Sequence, residues 1–265
     1  MADEREYRLM ITSDIENYGD RCDSDQVELQ RTLIRLLDMA AGAAGLALLQ
    51  WKRQPQGDGE FTVLPPETDA PTVLGPFLTA LARGIETVNQ QDVRRRMRMR
   101  VAVHGGPIHV DGAAGSPGRH AVQSGRLVGA DSLRAAMGAC KDADLGVIIS
   151  DRIFDDFVGQ GYGGPSPEEF RYVHAKSKTN EYRAYIHLPG HNVHRISELD
   201  EYDVKSGEKQ NDEDQSKGAQ HGEITVGRDY YGGAKNTVSG NGVIYTAGRD
   251  AFFDRDSRKG RLPDE

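Results

Sequence analysis

The sequence predicts an α/β domain with a mixed sheet, spanning residues 5–189. Three observations predict it. Short apolar runs of strand character alternate with stretches of helical periodicity. Glycine and acidic residues punctuate the boundaries. Two of the strand-like runs end in acidic turns, Ser13-Asp14-Ile15-Glu16-Asn17-Tyr18-Gly19-Asp20 and Gln56-Gly57-Asp58-Gly59-Glu60.

The first run is Tyr7 to Thr12, which leads into Asp14. Leu29, Leu33, Leu36, Leu37 and Ala40 then recur at helical spacing, with Asp23, Ser24 or Asp25 as the expected cap. Leu46 to Lys52 and Phe61 to Leu64 form a hairpin pattern around Asp58, whose flanking glycines suit a tight tip. Pro71 to Val88 is amphipathic. Met97 to His104 alternates as a strand and is expected to end at Gly105-Gly106, with its arginines on an exposed face. Ala121 to Met137 is expected to be helical, interrupted in propensity by Gly125 and Gly129. Leu145 to Ile149 is a buried strand and Asp151 to Val158 a short helix. Phe170 to Ala175 and Tyr182 to Leu188 close the domain as two strands. Trp51 is expected in the core or at a dimer interface, and His104 as a structural histidine.

Composition shifts after residue 189. Residues 190–220 read as a disordered acidic linker, because Ser206 to Gln215 offers almost nothing to bury. Residues 221–253 are β-prone and Gly-rich, with an internal echo between Thr225-Val226-Gly227-Arg228-Asp229 and Thr246-Ala247-Gly248-Arg249-Asp250. Residues 254–265 are a charged tail.

The chain has 265 residues and a formal net charge of -8. That length supports a proper core. The acidic balance argues against general nucleic-acid binding. No apolar stretch reaches the roughly 20 residues of a membrane helix. The charged N-terminus has no apolar signal core, and Cys22 and Cys140 are the only cysteines. A reducing, cytoplasmic location is therefore expected.

If the first strand and the hairpin are neighbours, Asp14 and Asp58 meet at one end of the sheet. Two carboxylates there suit Mg²⁺ or Mn²⁺, which prefer oxygen ligands.

The ordered set Ser13-Asp14-Ile15, Gly57-Asp58-Gly59, Arg100-Val101-Ala102-Val103-His104-Gly105-Gly106, Ala121-Val122-Gln123-Ser124-Gly125-Arg126-Leu127 and Ile149-Ser150-Asp151 resembles the class III nucleotide cyclase family. The resemblance implies a ferredoxin-like domain, a mixed sheet with helices on one face, acting as a homodimer on a nucleoside triphosphate. It implies metal ligation by Asp14, the Ile15 carbonyl and Asp58. It gives Arg126, with Gln123, the role of stabilising charge at the transferring phosphorus, and Lys176 or Lys178 a phosphate contact. Three departures stand out. Gln123 lies three residues before Arg126, where the family has an asparagine four residues before its arginine. Gln54 replaces a base-reading lysine. No acid occurs between Asp111 and Gln123, which leaves His120 or Ser116 to read the base. Gln54 and His120 can each donate and accept hydrogen bonds, so a pyrimidine or guanine is open to them.

Asn236 to Asp250 resembles bacterial amyloid signalling motifs, themselves similar to the RIP homotypic interaction motif. Val243-Ile244-Tyr245-Thr246 is uncharged and β-prone, so identical copies can stack through residues 221–253. Two function classes follow: a metal-dependent cyclase, or a catalytically inactive nucleotide-binding or interaction module that signals through its C-terminal segment.

Overall fold

A computed structural model describes residues 5–110, 112–113, 115–177, 180–203, 243–247 and 250–254. The chain divides into two units, Met1–Gly207 and Glu208–Glu265.

The first unit is built on seven strands: β1 (Glu6–Ile15), β2 (Lys52–Pro55), β3 (Gly59–Val63), β4 (Met99–Ile108), β5 (Leu145–Ser150), β6 (Arg171–Ser177) and β7 (Asn180–His187). Their order is β2-β3-β1-β4-β5-β7-β6. β4 and β5 are parallel and every other pair is antiparallel, so the sheet is mixed as expected.

Among the described residues, α-helical segments accompany it at α1 (Asp23–Ala43), α2 (Ala70–Thr72), α3 (Leu78–Gln91), α4 (Arg119–Val128), α5 (Asp131–Ala139) and α6 (Asp151–Ile153). α1 buries Leu29, Leu33, Leu36, Leu37 and Ala40, the predicted stripe. Each fully buried leucine contributes about 1.5–3 kcal/mol. Its cap position is Cys22; Asp23 and Asp25 lie inside the first turn, where they favour the helix dipole.

Helices cover both faces of the sheet, which corrects the expectation of one. The pleat explains it. Leu9, Ile11 and Ile15 of β1 and Val101 and Val103 of β4 share a core with α1 and α3. Ala102 of β4 and Ile148 of β5 point the other way, into a core with Leu127 of α4 and Leu133 and Met137 of α5. Trp51 is core, edge-on to Phe77 with ring centroids 6.0 Å apart.

Further boundaries differ from the sequence reading. The first hairpin strand, expected over Leu46 to Lys52, instead begins at Lys52 as β2, and Leu48–Gln50 before it forms a short 3-10 turn. β4 continues through Gly105 and Gly106, which pair with Leu9 and Arg8. The glycines are there for close packing: a Cβ at Gly105 would lie 2.4 Å from the Tyr7 hydroxyl, and one at Gly106 2.3 Å from Nδ1 of His120. The predicted helix over residues 121–137 is two helices, parted at Gly129 and Ala130.

The acidic linker expected from residue 190 begins with folded chain. Val193, Ile196 and Leu199 are buried in the α5-side core. Arg171 of β6 donates to the Ile196 carbonyl at 2.7 Å and to Asp200 and Asp203, each at 2.6 Å. Charged residues hid three apolar anchors. The rest of the expected linker, from residue 204, lies outside the described residues. In the second unit, β8 (Val243–Ala247) and β9 (Asp250–Asp254) form an antiparallel pair; residues 221–242 and the charged tail from residue 255 lie outside the described residues.

Among the described residues no helix is long and apolar enough to cross a membrane.

If residues 191–203 belong to the folded body, Leu199→Ala lowers the unfolding free energy by about 2–5 kcal/mol, as for other buried leucines. Urea denaturation measures it. A change under about 0.5 kcal/mol would mean the segment is only laid on the surface.

Candidate functional site

The pleat of β1 places Met10, Thr12 and Asp14 on one face, beside Ala102, His104 and Arg100 of β4. Asp14 and Arg100 are direct cross-strand neighbours and form an ion pair through Oδ2 and Nη2. The Asp14 side chain is 21% exposed and that of Arg100 is 9%.

The β2–β3 turn delivers Asp58 to the same end. Gly57 takes a positive φ of 78°, and Gln30 of α1 donates to its carbonyl at 2.8 Å. Gly59 meets Asp14 across the strands, and a Cβ there would lie 2.0 Å from the Ser13 carbonyl oxygen. Only a residue without a side chain permits that approach. The Ile15 N–H then donates to the Asp58 carbonyl at 2.8 Å.

Burial raises the Asp14 carboxyl above its ordinary range. Arg100 opposes this, Asp58 adds to it by repulsion, and Arg134 of α5 lowers it slightly. Two interacting acids, one largely desolvated, suit a hard cation. Among the described residues no group of three or more His, Cys, Asp or Glu side chains is placed to hold a metal. An ion on Asp14 and Asp58 would therefore draw its remaining ligands from backbone, water or substrate oxygens.

The other site residues expected from the sequence lie elsewhere in this chain. Arg126 donates to the Tyr182 hydroxyl on β7 at 2.7 Å, three strands from β1. Gln123 is half-buried on α4, next to Ser124, whose hydroxyl is bonded to Thr12 at 2.7 Å. Lys176 is exposed on the edge strand β6, opposite Glu181, roughly 20 Å from β1 at about 4.8 Å per strand. Lys178 lies outside the described residues. The Gln54 amide lies against Gly115 in the β4–α4 loop. His120 sits over Gly106, the partner of Arg8, about 20 Å along the strand from Asp14 at about 3.3 Å per residue. Ser116 is buried and donates to the Val110 carbonyl at 3.2 Å.

Sequence reading missed Arg100 at the carboxylates. It grouped Arg94 to Arg100 as an exposed face, yet Arg98 caps the end of α5 through the Met137 and Cys140 carbonyls and pairs with Glu16. The alternation that buries Met97 and Met99 also turns Arg100 toward Asp14, and that was the available signal.

His104 is 2% exposed, and its Nε2 lies 2.9 Å from Nδ1 of His120, with the rings stacked at 5.1 Å. Burial first, then the positive field of Arg152 and Arg119 with His120, pushes its pKa down to about 3.

No protein-family model matches this sequence, and no curated protein does. Solved structures do. The guanylyl cyclase Cya2 is 14% identical, with 72% of this chain and 96% of that one covered and a TM-score of 0.51. An adenylate/guanylate cyclase/hydrolase from Silicibacter pomeroyi is 18% identical over 70% and 98% of the two chains, with a TM-score of 0.50. A bacterial light-regulated adenylyl cyclase is 10% identical over 75% and 58%, with a TM-score of 0.51. The likeness is one of fold: the first unit is a cyclase-like α/β domain.

Two outcomes follow from this geometry. Gly59→Ala should destabilise the domain by about 1–3 kcal/mol, the usual result of forcing volume into a packed site. A denaturation curve matching the parent would mean the hairpin tip retreats freely. His104 has a folded pKa of about 3 against 6.5 unfolded. The unfolded chain thus binds that proton more tightly, so its contribution is complete above about pH 6.5 and is lost as pH falls toward about 3. The slope it adds is at most about 1.4 kcal/mol per pH unit. His104→Gln should flatten the stability–pH curve in that window; an unchanged slope would place the acid sensitivity in other groups.

Proposed function

We propose that this protein is a divergent metal-dependent nucleotide cyclase, converting a nucleoside triphosphate to a cyclic monophosphate and pyrophosphate in signalling or defence. The observation that carries this reading is the meeting of Asp14 and Asp58 at one end of a cyclase-like sheet, with burial and mutual repulsion that a cation would relieve.

In this reading Asp14, Asp58 and the Ile15 carbonyl hold Mg²⁺ or Mn²⁺. When bound, such an ion would supply Lewis acidity toward the ribose 3′-hydroxyl and positive charge toward the triphosphate. The 3′-oxygen attacks the α-phosphorus, the bond to pyrophosphate breaks, and the hydroxyl proton passes to water. Arg126, steadied by Gln123, offsets charge at the phosphorus through its planar fork. Lys176 or Lys178 contacts phosphate, and Gln54 and His120 read the base. In this reading two copies act together, as the resemblance implies, with Asp14 and Asp58 of one copy facing Arg126, Gln54 and His120 of the other.

One observation favours a second reading. Arg100 already neutralises Asp14 as a metal would. On that account the domain is catalytically inactive, binds nucleotide or a partner, and signals through homotypic pairing of residues 221–253.

Purified protein with Mn²⁺ and each of ATP, GTP, CTP and UTP, scored for cyclic product, separates the two. A cyclase gives product from one triphosphate, reduced at least about 10²-fold in Asp58→Ala. No product from any, with the dimer confirmed in solution, would leave the binding module.

A further inference from the structure

A cleft of about 410 Å³ opens on the face of the sheet opposite Asp14. His187, the last residue of β7, lines it together with Gly75, Thr79 of α3, Gly164, Glu169 and Gly190. His187 pairs with Val147 of β5, whose side chain enters the α1–α3 core, so the pleat puts the imidazole on that face. The volume lies within the range of small-molecule sites. Val73–Phe77, which leads into α3, is a π-helical turn, a geometry frequent at functional sites. Gly75 in that turn stands close to Gly164: a Cβ on Gly75 would lie 3.2 Å from the Gly164 Cα.

His187 is 5% exposed, and its Nδ1 lies 3.1 Å from the Glu169 carbonyl oxygen. A carbonyl only accepts, so Nδ1 carries the proton and donates it. Burial holds the imidazole pKa below its ordinary value, against the opposing pull of that bond and of the Glu169 charge. The ring is therefore neutral and Nε2 is bare. Nε2 has no hydrogen-bond partner among the described residues, yet it is not sealed from solvent as Nδ1 of His104 is. It opens into the cleft as an unfilled acceptor.

Charge then selects what can meet it. No lysine or arginine lines the cleft, and Glu169 is its one ionised side chain. One Glu169 carboxylate oxygen accepts from the Ser166 N–H at 2.7 Å; the other has no partner among the described residues. A bare imidazole nitrogen and a carboxylate match a ligand that donates hydrogen bonds and carries positive charge. Phosphate or carboxylate would meet no cation here and would face the Glu169 charge.

We propose that this cleft is a second ligand site that takes a small organic cation with N–H donors, an alkylammonium or guanidinium group, bonded to His187 Nε2 with its charge toward Glu169. The proposal goes beyond the cyclase reading and does not rest on it.

The test titrates the full-length protein with ethylammonium and guanidinium chloride, and with acetate and inorganic phosphate as anionic counterparts, at constant ionic strength. Proton–nitrogen correlation spectra follow His187 Nε2 and the amides of Gly75, Gly164 and Gly190. One of the cations should shift them saturably, with a Kd of about 0.1–10 mM, the range open to a ligand of three or four heavy atoms. Glu169→Gln keeps an acceptor for Ser166 and removes the charge, so it should weaken that binding about two- to fivefold. His187→Asn keeps a donor for the Glu169 carbonyl and removes the Nε2 acceptor, so it should abolish the saturable amide shifts. No saturable shift with either cation overturns the proposal, as does equal or tighter binding of an anion. Binding that survives His187→Asn, or that is unchanged in Glu169→Gln, overturns it too. Should His187→Asn fail to fold, the parent spectra and Glu169→Gln still decide. Cyclic-product formation is not a readout, so the outcome leaves the cyclase reading untouched.

Discussion

The pairing of β1 along both its edges governs the chemistry this domain can present. Its neighbours β3 and β4 fix its register from Glu6 to Ile15, and the pleat then leaves no choice of face. Leu9, Ile11 and Ile15 must enter the α1–α3 core, so Met10, Thr12 and Asp14 must look the other way. A slip of one residue would exchange the two sets. Asp14 would then be driven into a leucine-rich interior, a placement no carboxylate tolerates without a partner. The apolar packing on one face therefore specifies the position of the carboxylate on the other.

That position brings a conflict, and Arg100 moderates it. Asp14 is desolvated by burial, and Asp58 adds a second negative charge from the hairpin tip. A buried acid with another acid nearby either takes up a proton or finds a cation. Arg100 is a cation that costs no diffusion, because its strand is hydrogen-bonded to Asp14's own. It sits one residue from Met99 and Val101, which anchor it in the opposite core. The pair makes the site foldable without an ion. It also means that any ion arriving there competes with a guanidinium held in place by the backbone.

Much of the fold was legible because apolar periodicity is local. The α1 stripe, the β3 arm of the Asp58 hairpin, the β5 strand and the closing β6–β7 pair all follow from spacing within about ten residues. Asp14 and Asp58 could be placed together for the same reason: each ends a recognisable strand. What escaped depends on partners far apart in sequence. Gly105 and Gly106 look like a strand end, but they are ladder residues made small to admit Tyr7 and His120. Arg100 looks solvated among other arginines until Asp14 is known to face it. Residues 191–203 look like a polar linker because Val193, Ile196 and Leu199 are diluted by charges, and the receptor for those charges, Arg171, is more than twenty residues upstream.

Arg126 is engaged away from Asp14. α4 is held to β1 by the buried Thr12–Ser124 bond, which leaves its Arg126 side directed across β5 to Tyr182 on β7. Rotating Arg126 toward Asp14 would break the Tyr182 contact. His120, at the other end of the same helix, is locked over Gly106 by His104. A rigid sheet with fixed register thus keeps the acidic end and the histidine end of β1 apart.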